Sequence, residues 1–201
     1  AIADQVIDED ASLTLTLSAS DVDGDALSFS ASADSGSVTV DGSTLTVSPD
    51  ADFNGNIIVD VVVTDGNLSD STSFTITVNP VNDAPVLDDL VDAETDEDTA
   101  YSVDLSSSDI DGDAVTYSVS VSSGSASVDG STLTVTPAQD YNGDVDVSVT
   151  ASDGSLTDSG SFTLTVNAVN DAPVMDAIAD QVIDEDASLT LTLSASDVDG
   201  D

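Results

Sequence analysis

The chain has 201 residues with 41 Asp and Glu and no Lys, Arg or His, a formal net charge of −41. Such a chain repels nucleic acid and anionic lipid, both of which need Lys or Arg for neutralisation, so its natural partners are cations. No Cys is present, which removes disulfides and thiolate metal sites, and no apolar run approaches the roughly 18 residues that membrane insertion needs.

Taken in chain order, the first eighty residues carry about seven strand signals: Gln5 to Ile7, Ser12 to Ser18, Leu27 to Ala31, Ser37 to Val40, Ser43 to Val47, Ile57 to Thr64 and Thr72 to Val78. Several alternate strictly, as in S-L-T-L-T-L-S from Ser12 and S-F-T-I-T-V from Ser73, the period-two mark of half-buried strands. Alternation is what separates this acidic, Ser/Thr-rich chain from a disordered one. Asp41-Gly42 between two such runs predicts a tight hairpin, repeated at Asp129-Gly130, and Asn54-Gly55 and Asn142-Gly143 read as loop turns. No window shows helical periodicity. The hydrophobic fraction is 39% but only 3% is aromatic, so the cores must be built from Val, Leu and Ile with Phe29, Phe53 and Phe74 as larger fillers. Phe53 and Tyr141 are expected to plug the core beneath an acidic loop. These signals predict an all-β fold, a tandem array of seven-stranded antiparallel β-sandwich domains with acidic motifs in the end loops.

The tandem follows from a period of 88 residues: Glu9 falls on Glu97 and Glu185, and Asn82-Asp83-Ala84-Pro85 falls on Asn170-Asp171-Ala172-Pro173. Residues 177–201 repeat residues 1–25 letter for letter. The expected organisation is repeat 1 over 1–81, a linker over 82–88, repeat 2 over 89–169, a linker over 170–176 and the opening of repeat 3 over 177–201. A period longer than the roughly 20 to 50 residues of solenoids means separately cored domains. The chain reads as an excerpt of a longer protein.

Asp21-Val22-Asp23-Gly24-Asp25 places three carboxylates around a glycine that permits a tight bend, so that they can converge. It recurs as Asp109, Asp111 and Asp113, and as Asp197, Asp199 and Asp201. Like charges at ~4 Å repel by about 1 kcal/mol per pair even in water, and a divalent cation removes that cost. Ca²⁺ suits an all-oxygen set of flexible geometry, whereas Zn²⁺ would want His or Cys. The EF-hand is excluded, because Gly24 stands at position 4 of the loop and Ser32 at position 12. The bland alternative for each acidic loop is a solvated turn.

With its D-x-D-G-D loops, the Asn-Asp-Ala-Pro linkers, the upstream Glu9 and the Val63-Thr64-Asp65-Gly66 segment, the chain resembles the tandem cadherin-like repeats of large bacterial surface adhesins over its whole length. The resemblance implies calcium at each junction. For the first it implies Glu9, Asp50 and Asp52 with Asn82 and Asp83 of the linker and Asp109, Asp111 and Asp153 of the next repeat. The second would use Glu97, Asp140, Asn170, Asp171, Asp197 and Asp199. Asp21, Asp23 and Asp65 would form a weak or vacant site, with Asp25, Asp113 and Asp201 as auxiliary ligands. Asp50 has no counterpart in repeat 2, where Ala138 stands.

Catalysis finds no support in the residues: without His, Cys, Lys or Arg no side chain titrates near neutrality, and Ser has no base to activate it. The expected function is therefore a calcium-rigidified extracellular spacer of a bacterial cell-surface adhesin or fibre, not an enzyme, with calcium ions and neighbouring repeats as partners. The alternatives are a subunit of a self-assembling filament, in which other copies are partners, and a carbohydrate- or partner-binding β-sandwich module.

Overall fold

The computed structural model describes residues 1–200, and among these no residue is helical. The chain divides into two compact units, Ala1–Asp83 and Ala84–Asp201.

The first unit is a seven-stranded sandwich: β1 Gln5–Asp8, β2 Leu13–Thr16, β3 Ser28–Ala33, β4 Ser37–Asp41, β5 Thr44–Ser48, β6 Gly55–Thr64 and β7 Ser69–Asn79. One sheet has the order β1-β7-β6-β3 and the other β2-β5-β4. Each alternating run found in the sequence is a strand, because its apolar side chains face the opposite sheet while Ser and Thr face water. All neighbours are antiparallel except β1, which runs parallel to β7 from Gln5↔Ile76 to Asp8↔Asn79. That pair brings the start of the repeat alongside its end, and so puts Glu9 next to the chain leaving β7.

Leu17, Leu45, Val47, Ile57, Val59, Val61, Phe74, Ile76 and Val78 form the buried core, with Phe29 and Phe53 among the half-buried residues against it. The hairpin predicted at Asp41-Gly42 is present: Asp41 pairs with Thr44, leaving a two-residue loop with φ of 58° at Gly42. Gly36 precedes this hairpin at φ 76°, and a Cβ there would stand 2.5 Å from the Ser48 carbonyl oxygen, so only glycine fits.

The second unit repeats the plan with β9 Ala93–Asp96, β10 Tyr101–Asp104, β12 Thr116–Val121, β13 Ser125–Asp129, β14 Thr132–Thr136, β15 Gly143–Ser152 and β16 Thr157–Asn167. The parallel pair recurs between β9 and β16. Leu133, Val135, Val145, Val147, Val149, Phe162, Leu164 and Val166 fill its core, with Tyr141 packed at its edge. Two short additions distinguish it: β8 Val86–Leu87 pairs antiparallel with β11 Ser107–Ser108. The stretch read as a linker over 82–88 thus ends the first unit at Asp83 and supplies an edge strand to the second.

The stretch read as a linker over 170–176 contributes β17 Val174–Met175, which pairs with β18 Ala195–Ser196 of the third repeat's opening. Leu189, Leu191 and Leu193 of this opening are exposed, while their counterparts Leu13 and Leu15 are half-buried and Leu17 is buried. The letters are identical. What differs is tertiary: in repeat 1 the run pairs with β5, and residues 177–193 have no such neighbour.

Candidate metal centre

Two tight turns build the first cluster. Ala11 N–H donates to the Asp8 carbonyl at 3.3 Å, and Phe53 N–H to the Asp50 carbonyl at 3.2 Å. Both turns close through an aspartate in the left-handed region, Asp10 at φ 61° and Asp52 at φ 56°, a conformation Asp tolerates better than most residues. The Asp52 N–H donates to Asp10 Oδ1 at 3.4 Å, tying the turns together. Asp83 arrives from the linker, and carboxylate oxygens of Asp10, Asp52 and Asp83 lie within 4.8 Å of one another.

Glu9 sits below this cluster with only 5% of its surface exposed. Its N–H donates to the Asn79 carbonyl at 2.9 Å, and its Oε1 accepts the Val81 N–H at 2.5 Å. A buried carboxylate needs such partners. Through them Glu9 fixes the path of the linker that carries Asp83.

Repeat 2 reproduces each feature 88 residues later. Asp98 and Asp140 hold φ of 56° and 54°, and the Asp140 N–H donates to Asp98 Oδ1 at 3.2 Å. Glu97 is 5% exposed and its Oε1 accepts the Val169 N–H at 2.5 Å. Carboxylate oxygens of Asp98, Asp140 and Asp171 come within 4.8 Å of one another. Here the opening of repeat 3 takes part as well: the Asp171 N–H donates to Asp199 Oδ2 at 2.6 Å, and the Asp199 N–H to Asp197 Oδ1 at 2.9 Å.

Asp171 Oδ2 is buried with no hydrogen-bond donor. Burial pushes the Asp171 carboxyl above its ordinary value, and the charges of Asp140, Asp199, Asp98 and Glu97 push it the same way. The chain has no Lys, Arg or His to compensate. A hard cation with oxygen ligands fits this donor set.

The D-x-D-G-D loops close on their first residue. Asp21 Oδ1 accepts the N–H groups of Asp23, Gly24 and Asp25 at 2.8, 2.9 and 3.2 Å, and Asp109 Oδ1 those of Asp111 and Asp113 at 3.0 and 3.1 Å. Asp65 Oδ1 accepts Asn67 and Leu68 N–H, both at 2.7 Å, and Asp153 Oδ1 accepts Ser155 and Leu156 N–H at 2.6 and 2.7 Å. The bonds from Leu68 and Asn67 hold the Asp65 carboxyl below its ordinary value. Asp21, Asp23, Asp25 and Asp65 join no carboxylate triad among the described residues. Asn82 and Asn170 turn their Nδ2 onto the carbonyls of Asp83 and Asp171, at 3.0 and 2.7 Å. Asp201 lies outside the described residues.

Of the residues expected at these clusters, Asp50 gives its carbonyl to the turn and stays out of the triad, which explains how Ala138 can replace it in repeat 2. Asp10 and Asp98, absent from the expected set, are triad members. The available signal was their position directly after Glu9 and Glu97 in a Glu-Asp pair that keeps the 88-residue period.

Fold and site together define a tandem of cadherin-like, Ig-like β-sandwich repeats with acidic clusters where turns meet linkers. The bacterial Ig domain model matches residues 1–79 and 82–165, and the chain belongs to that family. It is 32% identical over 104 residues to a chitinase A of Pseudoalteromonas piscicida, a match covering 49% of this chain and 13% of the chitinase. Among solved structures it is similar to Drosophila N-cadherin EC1-4, at 21% identity and TM-score 0.54 over 83% of this chain and 47% of that one. It is also similar to human protocadherin-24 EC1-2, at 17% identity and TM-score 0.52 over 84% of this chain and 95% of that one. These likenesses carry the fold. The chain spans about 13% of the length of the chitinase it matches, so that protein's activity is its own.

Proposed function

We propose that these repeats are extracellular spacers whose linkers are set by calcium, and that they hold a distal domain of a longer bacterial surface protein away from the cell. The observation that carries this reading is Asp171: a linker carboxylate with a buried, donorless oxygen, surrounded by Asp98, Asp140, Asp199 and Glu97 in a chain without a single cationic side chain. Left alone, that arrangement opposes the fold. With Ca²⁺ bound, the same oxygens become ligands, and binding stabilises the conformation that presents them.

Glu97, Asp98, Asp140, Asp171, Asp197 and Asp199 would hold the ion at the second linker, and Glu9, Asp10, Asp52 and Asp83 at the first. Ca²⁺ supplies charge neutralisation and a fixed meeting point for turn, linker and loop. The Asp10 and Asp98 carboxylates tie the paired turns together through the Asp52 and Asp140 N–H groups, and Glu9 and Glu97 hold the linkers through the Val81 and Val169 N–H groups. No residue here is assigned a catalytic role. The partial match to a chitinase supports a module that serves another domain in the longer protein.

Small-angle scattering with and without chelator tests the proposal. Chelation should broaden the distribution of dimensions as the linkers loosen, and restored calcium should reverse it. An unchanged scattering profile would refute calcium as the stiffening agent.

A further inference from the structure

Repeat 2 has an open slot along one edge of its sandwich. β9 ends one sheet, in the order β12-β15-β16-β9, and β10 ends the other, in the order β10-β14-β13; among the described residues no ladder joins β9 to β10. The chain ahead of β9 covers part of the gap. The Asp88 N–H donates to the Ser106 carbonyl at 3.0 Å, and Asp92 Oδ1 accepts the Thr163 N–H at 2.7 Å. A cavity of about 270 Å³ stays open here, walled by Leu90, Val103, Leu105, Tyr101 and Phe162. It is smaller than the roughly 300–1,000 Å³ of sites for drug-sized molecules, and suits a single side chain.

The wall and the mouth differ in chemistry. Tyr101 and Phe162 stand 6.2 Å apart between ring centroids, tilted by 57°, and give the wall an aromatic corner. Asp88, Asp89 and Asp104 also line the cavity, and all three are exposed. Asp104 Oδ1 accepts the Thr132 hydroxyl at 2.8 Å, which fixes that carboxylate on the β14 side. Unlike the linker clusters, these three join no carboxylate triad among the described residues, so they are not gathered for a point charge. An apolar wall with an aromatic corner and carboxylates spread round its opening matches a group with an alkyl stem and a cationic head. No side chain of these repeats is cationic, so that group must come from another molecule.

We propose that this slot is a docking point for a lysine side chain presented by a partner protein. The methylenes lie against Leu90, Val103 and Leu105, and the ammonium meets Asp88, Asp89 and Asp104 beside the Tyr101 ring. None of these carboxylates belongs to the linker clusters, so the inference stands apart from calcium.

The repeat register limits the site to one copy. Repeat 1 carries Leu13, Ala1 and Thr16 where repeat 2 has Tyr101, Asp89 and Asp104, and the third copy carries Leu189, Ala177 and Thr192. Both lose the aromatic corner and two of the three charges. Solvent-facing ion pairs contribute little each, so one lysine binds weakly and the partner's surrounding contacts supply the rest of the affinity.

The test uses the whole chain at ~0.15 M salt, in millimolar calcium and again in chelator. N-acetyl-lysine methylamide is titrated while NMR follows the methyl groups of Leu90, Val103 and Leu105 and the rings of Tyr101 and Phe162. Saturable shifts at these residues are expected in both buffers. N-acetyl-norleucine methylamide keeps the stem and lacks the ammonium, and should bind about fivefold more weakly. Asp89→Ala combined with Asp104→Thr, and separately Tyr101→Leu, install residues that repeat 1 carries at the same places of the same sandwich, so the fold is kept. Each should weaken the lysine probe about threefold or more, and the charge variant should narrow the difference between the two probes. The proposal is overturned by no saturable shift at the slot, by equal binding of both probes to the wild type, or by binding that neither variant changes. Lysine-induced shifts at exposed aspartates of both repeats without shifts at the slot would overturn it too, as mere counterion adsorption.

Discussion

Replacing Asp52 by Asn removes one charge from the Asp10, Asp52 and Asp83 triad and leaves its turn standing. Asn adopts the left-handed conformation that Asp52 holds at φ 56°, and the bond to Asp10 Oδ1 is donated by the backbone, not the side chain. With oxygens of the three carboxylates within 4.8 Å of one another, each pair repels by roughly 0.9 kcal/mol in a water-like dielectric. Asp52 takes part in two pairs, and screening at ~0.15 M salt reduces their sum to about 1 kcal/mol. In chelator the variant should therefore be more stable, raising the Tm of repeat 1 by roughly 4–8 °C. Calcium at ~100 times its Kd stabilises the wild type by about 2.7 kcal/mol, and a site weakened about a hundredfold retains ~0.4 kcal/mol. The order inverts, leaving D52N about 1 kcal/mol less stable than wild type in calcium. Calorimetric scans of both proteins in both buffers read this directly. A variant that stays more stable by the same margin with calcium present would show that the triad is a crowded turn and no ion site.

Acidification should act oppositely with and without the ion. The raised Asp171 carboxyl takes its proton in the folded state first, so the metal-free chain should gain stability as pH falls from neutral through that raised value towards 3.8. Below 3.8 the depressed Asp65 carboxyl reverses the trend, because its loop bonds are lost as pH falls through its folded value. In calcium, stability should only decline on acidification as protons compete for the ligands, and urea melts across pH separate the two profiles. Glu97→Gln keeps an acceptor for the Val169 N–H and should lower calcium affinity with little change in metal-free stability. Glu97→Ala removes the acceptor of the Val169 N–H, and should lower stability in chelator as well, measured by the same melts. Gly124→Ala places a Cβ 2.3 Å from the Thr136 carbonyl oxygen at φ 78°, and should destabilise repeat 2 by roughly 2–5 kcal/mol in denaturant titration.

The sandwich was legible because its physics is local: Val, Leu, Ile and Phe alternating with Ser and Thr define one apolar face per strand, and Asp41-Gly42 defines a turn. The parallel pairing of β1 with β7 was not, since Gln5 and Ile76 meet through a contact across most of the repeat that no short window encodes. The same holds for the metal cluster. Asp52 and Asp83 were expected through the cadherin-like resemblance, but Asp10 enters through its left-handed backbone, and Asp50 stays out of the triad while its carbonyl serves the turn. Leu87 and Met175 looked like linker residues because a two-residue strand has too little pattern to register. The identical residues 1–25 and 177–201 make the limit plain, for one copy forms β1 and β2 and the other leaves its leucines in water.

Calcium binding measured by isothermal titration, on the wild-type chain and on the D52N/D140N double variant, bears most directly on the central claim. Saturable binding in the wild type with Kd near or below ~10⁻³ M, lost or weakened at least tenfold in the double variant, is the predicted result. No binding at millimolar calcium, or equal binding by both proteins, would contradict it.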